Sequence, residues 1–140
     1  MLFPSYQLED IQWIIKEILK KYPYNENFFL TGPLGAGKTT FIRKFCQHLG
    51  AKEPIHSPTF SLMHQYPTDN KTIYHLDLYR LNDEDEVYDL GIEEILSLSG
   101  YKLIEWMDKF PSIPKQGLEL KIEILPNFLR KLEISEIKLL

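Results

Sequence analysis

Residues 32–39 read Gly-Pro-Leu-Gly-Ala-Gly-Lys-Thr and match the phosphate-loop template G-x-x-x-x-G-K-[ST] at every fixed position. Gly32 and Gly37 permit backbone angles that other residues disfavour, so the N–H groups of the loop can point inward and bind an anion. Residues 28–31 before the loop are typical of a buried strand, and residues 40–49 after it repeat apolar side chains at helical spacing. A strand, a loop and a helix in this order predict a nucleotide-binding P-loop fold rather than a chance match.

The parts of this loop have separate expected roles. Lys38 would reach the β- and γ-phosphates, and the hydroxyl of Thr39 would be a ligand of Mg²⁺. The helix that follows adds the positive end of its dipole. The residues expected to surround the nucleotide here are Pro33, Leu34, Gly35, Ala36, Gly37, Lys38, Thr39 and Thr40.

Composition narrows the class of protein. The 140 residues fit a single domain, residues 1–140, and a hydrophobic content of 44% is ordinary for a globular chain. No apolar run approaches the roughly 18 residues that a membrane-spanning helix needs, and residues 1–5 show no signal-peptide pattern. The one cysteine, Cys46, lies among apolar residues and is expected in the core. We therefore expect a cytoplasmic protein without membrane attachment.

The formal net charge of −4 bears on partners. Proteins that grip the phosphates of RNA are usually basic, so direct and tight RNA binding is not expected. An acidic surface is compatible with docking onto a basic protein partner.

The rest of the chain predicts an α/β fold, a mixed β-sheet flanked by helices. Ser5 can cap a first helix over residues 6–21, which Pro23 ends. A polar turn at 67–71 predicts a hairpin. Residues 129–139 fit a strand, but their apolar spacing leaves a helix open. Further strands are expected at 59–66, 72–78, 101–106 and 118–125, and further helices at 83–90 and 92–98.

Two acidic residues end apolar strands and are candidates for holding the metal and the attacking water. Asp77 fits the Walker B pattern, in which a carboxylate holds Mg²⁺, or it caps the next turn. His75, two residues earlier, is expected on the same face of that strand.

Glu105 would ligate the metal or act on a water as general base, or it lies on an edge strand and faces solvent. Trp106 would stack beside the nucleotide or fill the core. In a P-loop sheet such strand ends converge on the phosphate side.

Thr59, in the sequence Ser-Pro-Thr-Phe at 57–60, is a candidate switch residue, because many nucleotide switches order a threonine on the γ-phosphate and metal. An ordinary loop before a strand is the alternative.

The Asn-Lys pair at 70–71 lacks the aspartate of the guanine motif Asn-Lys-x-Asp. The expected ligands are therefore ATP and Mg²⁺.

Taken together, these segments resemble the TsaE family (also called YjeE), small bacterial ATPases of tRNA threonylcarbamoyladenosine synthesis. The likeness is carried by the phosphate loop, by Ser-Pro-Thr-Phe at 57–60 and by His-Leu-Asp-Leu-Tyr-Arg-Leu at 75–81. Leu-Gly-Ile at 90–92 and Ile-Glu-Trp at 104–106 continue it. These segments span about residues 28–108, and the segments 75–81 and 104–106 are far more specific than a phosphate loop alone.

The resemblance implies a P-loop ATPase fold, Mg²⁺–ATP as ligand, and partnership with the TsaD and TsaB proteins. In that family TsaD transfers threonylcarbamoyl to adenosine 37 of tRNA, and the TsaE-like protein hydrolyses ATP to support repeated turnover, contacting tRNA only indirectly. By the same resemblance the functional residues are Lys38 for phosphate, Thr39 for Mg²⁺, Asp77 and Glu105 for the metal and the water, Thr59 in a switch-like loop, and Trp106 beside the site.

The chain departs from the family pattern at Pro33, where an acid is common, at Phe60, where Tyr is common, and at Met107, where Pro is common. Two other functions remain open from the residues. One is a small metabolite or nucleotide kinase, although kinases use several arginines on the transferring phosphate and this chain has arginine at 43, 80 and 130. The other is a nucleotide-gated binding module, in which hydrolysis is incidental.

Overall fold

The computed structural model describes residues 1–53, 55–56 and 62–139. Its strands are β1 (Leu2–Tyr6), β2 (Asn27–Thr31), β3 (Ile55–His56), β4 (Met63–Tyr66), β5 (Ile73–Asp77), β6 (Tyr101–Glu105), β7 (Gly117–Ile124) and β8 (Arg130–Ile137). Its α-helices are α1 (Ile11–Lys21), α2 (Lys38–His48), α3 (Glu84–Asp89) and α4 (Ile92–Ser97). The predicted α/β fold with a mixed sheet and flanking helices is confirmed.

Within the described residues the strands form one eight-stranded sheet in the order β1-β8-β7-β2-β6-β5-β4-β3. The pairs β2–β6, β2–β7 and β5–β6 are parallel, and the other pairs are antiparallel. Phe28, Phe29 and Leu30 of β2 are all buried, as expected of a parallel strand covered on both faces. Because parallel strands end at one edge of a sheet, β2, β5 and β6 bring the phosphate loop, Asp77 and Glu105 to the same side.

The sheet has an apolar core on each face. Ile14, Phe28 and Phe45 belong to the core between the sheet and helices α1 and α2. Phe29 and Val87 belong to the core on the side of α3 and α4. Adjacent residues of a strand point to opposite faces, so β2 is held between both cores. The phosphate loop therefore leaves β2 from a fixed point.

The predicted start of the first helix is wrong. Ser5 does not cap a helix, because residues 2–6 form the edge strand β1, in which Phe3 is the register partner of Leu132. Helix α1 begins only at Ile11, after a 3₁₀ turn in which the Asp10 carboxylate accepts the N–H of Gln7 at 2.8 Å. Tyr6, the first residue of the predicted helix, instead pairs with Arg130 of β8, so a non-local contact overrides the local helical pattern there.

The other predicted elements occur close to their expected places. The hairpin at 67–71 is confirmed, since β4 and β5 pair antiparallel around it. Residues 129–139, for which the sequence left strand and helix open, contain a strand, because β8 pairs with β7 along its whole length. Residues 59–61 of the predicted strand 59–66, and with them Thr59, lie outside the described residues. The two-residue strand β3 was not predicted. In the part of the chain that the structure describes, no helix is both long and apolar enough to cross a membrane.

Candidate nucleotide-binding site

The phosphate loop connects β2 to α2, and two glycines determine its path. Gly32 has φ +145°, and a Cβ at this position would lie 2.5 Å from the backbone oxygen of Ile122. Gly37 has φ +103° and is the residue before the first turn of α2. Neither conformation nor, at Gly32, the space suits a side chain. The helix begins at Lys38, two residues earlier than predicted, so Lys38, Thr39 and Thr40 form its first turn.

A cavity of about 320 Å³ opens above this loop. It is lined by most of the residues expected to bind the nucleotide, together with Tyr79: Leu34, Gly35, Gly37, Lys38, Thr39, Thr40, Asp77, Tyr79, Glu105 and Trp106. Two expected residues do not line it. Pro33 is exposed on the loop, and the side chain of Ala36 is buried beneath it. Thr59 lies outside the described residues.

The two acidic residues are neighbours in the sheet. Asp77 of β5 and Glu105 of β6 are register partners at the ends of their strands. Glu105 is 3% exposed, which excludes the alternative of a solvent-facing residue on an edge strand. Asp77 is exposed to the cavity, and its Oδ1 accepts the N–H of Tyr79 at 3.0 Å. Asp77 thus caps the next turn and faces the cavity at the same time.

Glu105 is held from two sides. Its Oε2 lies 2.8 Å from Nε2 of His75, and its Oε1 accepts a hydrogen bond of 3.4 Å from the hydroxyl of Thr39. His75 and Asp77 line a further cavity of about 360 Å³, as the shared strand face predicts. The carboxylate is therefore satisfied by residues of β5 and α2 and sits between them.

Lys38 is buried, and its ammonium has two close partners. The Nζ donates a hydrogen bond to the backbone oxygen of Gly32 and lies 3.4 Å from the centre of the Trp106 ring. Burial lowers the pKa of Lys38, and the negative charges of Glu105, Asp108 and Asp77 oppose that shift.

Trp106 reaches Lys38 because the chain turns sharply after β6. Its φ is +68°, a left-handed conformation that is unfavourable for a bulky residue. The ring also packs against Tyr79, with 5.0 Å between ring centres. Trp106 therefore forms a wall of the cavity and also packs against the core that contains Phe29 and Val87.

A larger cavity, about 760 Å³, lies at the opposite edge of the sheet, where β2 and β6 begin. It is lined by Asn27 and Lys102 and contains none of the predicted site residues. Ligands of open α/β sheets bind at the carboxyl ends of the strands, and the glycine loop is at that edge. The smaller cavity is therefore the candidate site.

Comparison with known proteins agrees with this geometry. Residues 5–132 match the family model described as threonylcarbamoyl adenosine biosynthesis protein TsaE. The chain belongs to the TsaE family. The family has its role in the biosynthesis of tRNA threonylcarbamoyladenosine, and its P-loop fold is one that binds nucleotides together with a divalent metal.

Individual TsaE relatives cover most of the chain. The tRNA threonylcarbamoyladenosine biosynthesis protein TsaE of Rickettsia felis is 40% identical over 119 residues, 84% of this chain and 69% of that protein. The Bacillus subtilis protein of the same name is 39% identical over 95 residues, 67% of this chain and 59% of that protein. The crystal structure of Bacillus subtilis YdiB superposes with a TM-score of 0.73 at 25% identity and covers 99% of this chain and 86% of that one.

The oxygen donors of the TsaE-family site suit Mg²⁺. They are the hydroxyl of Thr39 and the carboxylates of Asp77 and Glu105, all lining one cavity. Among the described residues no group of three His, Cys, Asp or Glu could by itself hold a metal ion. Mg²⁺ does not need one, because it usually takes one or two carboxylates and completes its shell with substrate phosphates and water. The residues present therefore fit the ion.

Sequence reasoning missed three features of this TsaE-family site. Tyr79 lines the cavity, and the negative charge of Asp108 opposes the lowering of the pKa of Lys38 by burial, although the sequence analysis gave neither residue a role. Arg130 donates from Nε to the oxygen of Ala36 at 2.9 Å and from one terminal nitrogen to the oxygen of Gly35 at 3.4 Å. This arginine braces the phosphate loop from a strand that lies 94 residues further along the chain.

A further small cavity, about 160 Å³ and called the second cavity below, lies on the other side of the phosphate loop from the candidate site. It is lined by Tyr6, Leu8, Ile11, Ala36, Gly37, Thr40, Phe128 and Arg130. Its walls combine the phosphate loop and α2 with residues from near the two ends of the chain. The sequence pattern gave no signal for it, because the segment containing Tyr6 was predicted to be a helix.

Proposed function

We propose that this TsaE-family chain binds Mg²⁺–ATP at the phosphate loop and hydrolyses it. The observation that carries the proposal is the meeting of Lys38, Thr39, Asp77 and Glu105 in one cavity above the loop. A cation, a hydroxyl and two carboxylates around a glycine loop are the parts that phosphoryl transfer to water requires.

Each side chain then has a chemical task. Lys38 binds the β- and γ-phosphates; an ammonium has three N–H donors, so the bond to Gly32 leaves donors for phosphate oxygens. Thr39 and Asp77 hold Mg²⁺, which when bound neutralises charge on the phosphate oxygens. Glu105 presents a carboxylate oxygen to the metal or to the attacking water, which it orients and deprotonates.

The adenine ring is proposed to enter the second cavity. That cavity shares Gly37 and Thr40 with the first part of the site, so a nucleotide can bridge the two. Phe128, which is 94% exposed, supplies an aromatic surface at its rim. Stacking on an aromatic ring binds a base without a sequence motif, in agreement with the absence of the guanine motif.

The biological role proposed is support of repeated threonylcarbamoylation of tRNA adenosine 37, with TsaD and TsaB as partners. Support comes from membership in the TsaE family and from Arg130, the arginine that contacts the phosphate loop in the described part of the chain, whose side chain already bonds to Ala36 and Gly35. We therefore expect slow hydrolysis by the chain alone and faster hydrolysis with its partners.

The test is multiple-turnover tRNA threonylcarbamoylation, reconstituted from the cognate TsaD, TsaB and carbamoyl-adenylate synthase. It is run without this protein, with it, and with Lys38→Ala, Asp77→Ala and Glu105→Ala. We expect product beyond one turnover only with the unmutated chain, and melting temperatures of the two acid variants close to the original.

The alternative functions give different results. Product that does not depend on this chain, although all partners are active, contradicts the proposal. Activity retained by a Glu105→Ala protein that binds ATP but does not hydrolyse it indicates a nucleotide-gated binding module. Transfer of phosphate to a small acceptor indicates a kinase.

A further inference from the structure

His75 is part of the site, although it does not line the cavity above the phosphate loop. Its Nε2 is 2.8 Å from Oε2 of Glu105, and its side chain is 16% exposed. It opens on its other side to the cavity of about 360 Å³ that also contains Arg80. The histidine therefore contacts Glu105 from a neighbouring cavity and not from the cavity above the phosphate loop.

Glu105 needs such support. A glutamate side chain has three rotatable bonds, and a carboxylate that is 3% exposed must find its partners inside the protein. Its other contact, from the Thr39 hydroxyl, is long at 3.4 Å. The shorter contact with His75 is the one that fixes the orientation of the carboxylate.

Other groups near His75 do not account for the contact. Its ring lies 6.2 Å from the ring of His64, centre to centre, at the register position opposite it on β4. Asp77, Tyr79 and Arg80 line the same cavity as His75, but the short contact is with Glu105.

We propose that His75 is a positioning residue for Glu105: it engages one carboxylate oxygen, so that Glu105 serves the nucleotide site with the other oxygen alone. This rests on the proposed function, because the task of Glu105 is the one given there. The histidine contacts neither nucleotide nor metal in this arrangement and acts only through Glu105.

The test compares His75→Leu with His75→Gln in the full-length chain, with TsaD and TsaB present. Leucine removes the hydrogen bond, whereas the glutamine amide can donate to Glu105 from about the position of the imidazole Nε2. We expect His75→Leu to lower kcat for ATP hydrolysis about 10- to 100-fold, the usual effect of losing a partner of a functional side chain, with an unchanged KM. His75→Gln should restore most of the rate.

A double-mutant cycle separates positioning from general destabilisation. In a Glu105→Gln background, His75→Leu should have no further effect on kcat, because its action passes through Glu105. His48→Leu is the matched control, since His48 is exposed at the end of α2 and far along the helix from Thr39. Melting temperatures of all variants show whether each is folded.

A readout independent of hydrolysis is the ¹⁵N NMR signal of the His75 imidazole in nucleotide-free protein. Replacing Glu105 with Gln should shift the Nε2 resonance, and His48 should not respond. An unshifted signal overturns the contact. A His75→Leu protein that hydrolyses ATP as fast as the original overturns the positioning role alone, whereas an unmutated protein that hydrolyses no ATP overturns the proposed function and the positioning role with it.

Discussion

At the scale of single residues, the site depends on groups whose surroundings change their ordinary behaviour. Lys38 keeps a buried ammonium against the ring of Trp106, and Gly32 lies where no Cβ fits beneath Ile122. Lys38 depends on a close contact between two side chains, and Gly32 depends on a close approach of two backbone segments. Substitutions at such positions are expected to have effects well beyond those of exposed residues.

Gly32→Ala is expected to destabilise the protein by at least about 3 kcal/mol, because an unfavourable backbone angle and a clash with a backbone oxygen add together. Gly50→Ala is the matched control: Gly50 also has positive φ, +73°, but its added Cβ would meet nothing within 4 Å. We expect about 1 kcal/mol there. Urea unfolding of both variants measures the difference, and equal losses would contradict the steric argument.

Cys46 carries a prediction about pH. Burial raises the pKa of its thiol from the ordinary 9.0 to about 11. Below 9.0 both folded and unfolded chains keep the proton; between 9.0 and about 11 only the folded chain keeps it, so stability falls as pH rises through this window. Cys46→Ala should flatten that part of the stability curve. An identical pH slope in the two proteins, measured by urea unfolding, would contradict the assignment.

At the scale of elements, short helices are placed by their caps and by the cores they cover. Helix α3 has six residues and contributes the fully buried Val87 to the core beside β6. Its first turn depends on Asp83, whose Oδ1 accepts the N–H of Glu86 at 3.0 Å. Isolated helices of this length are not stable, so the cap and Val87 together hold it.

Asp83→Ala is expected to cost about 1 kcal/mol, the usual value of an N-cap side chain. Asp89→Ala is the control, because Asp89 is exposed at the last residue of α3, where a negative charge opposes the helix dipole. We expect that variant to be neutral or slightly more stable in urea unfolding. A loss at position 89 as large as at position 83 would argue against the capping role.

At the scale of the whole molecule, the two ends of the parallel strands differ, and only one of them carries the candidate site. The carboxyl ends of β2, β5 and β6 carry the phosphate loop and both acids, while the amino ends surround the large cavity that holds Lys102. A ligand bound in the candidate cavity would contact residues from β5, β6 and α2. Its binding should therefore stabilise the complete fold.

We expect ATP with Mg²⁺ to raise the melting temperature, since a ligand present at 100 times its Kd stabilises by about 2.7 kcal/mol. EDTA should reduce the shift, because the proposed ligands Thr39, Asp77 and Glu105 would then lose the ion that we propose links them to the phosphates. Lys38→Ala should abolish it. Thermal unfolding followed by circular dichroism measures each case, and an unchanged ATP effect in Lys38→Ala would contradict the placement of the nucleotide.

The fold and the site were predictable to different degrees. The strand, loop and helix around Gly37 follow from a chemical template and from apolar periodicity, both of which are local. The acids at 77 and 105 followed from the ends of apolar strands, and both line the cavity. The first helix was predicted correctly over residues 11–21, but its expected start at Ser5 was wrong, because β1 gains a strand partner in β8 that the local pattern does not encode. Arg130 went unrecognised because its partner Ala36 is 94 residues away.

The amino-acid sequence alone was thus enough to predict the phosphate loop and the acids at the strand ends and to recognise the resemblance to the TsaE family. Fixed spacing and residue chemistry carry that information. The contact of His75 with Glu105, the stacking of Trp106 on Lys38 and the second cavity beside Thr40 required the folded chain. Each of these joins side chains from separate strands, loops or helices. Their distances depend on sheet register and on how helices pack, which local sequence patterns do not encode.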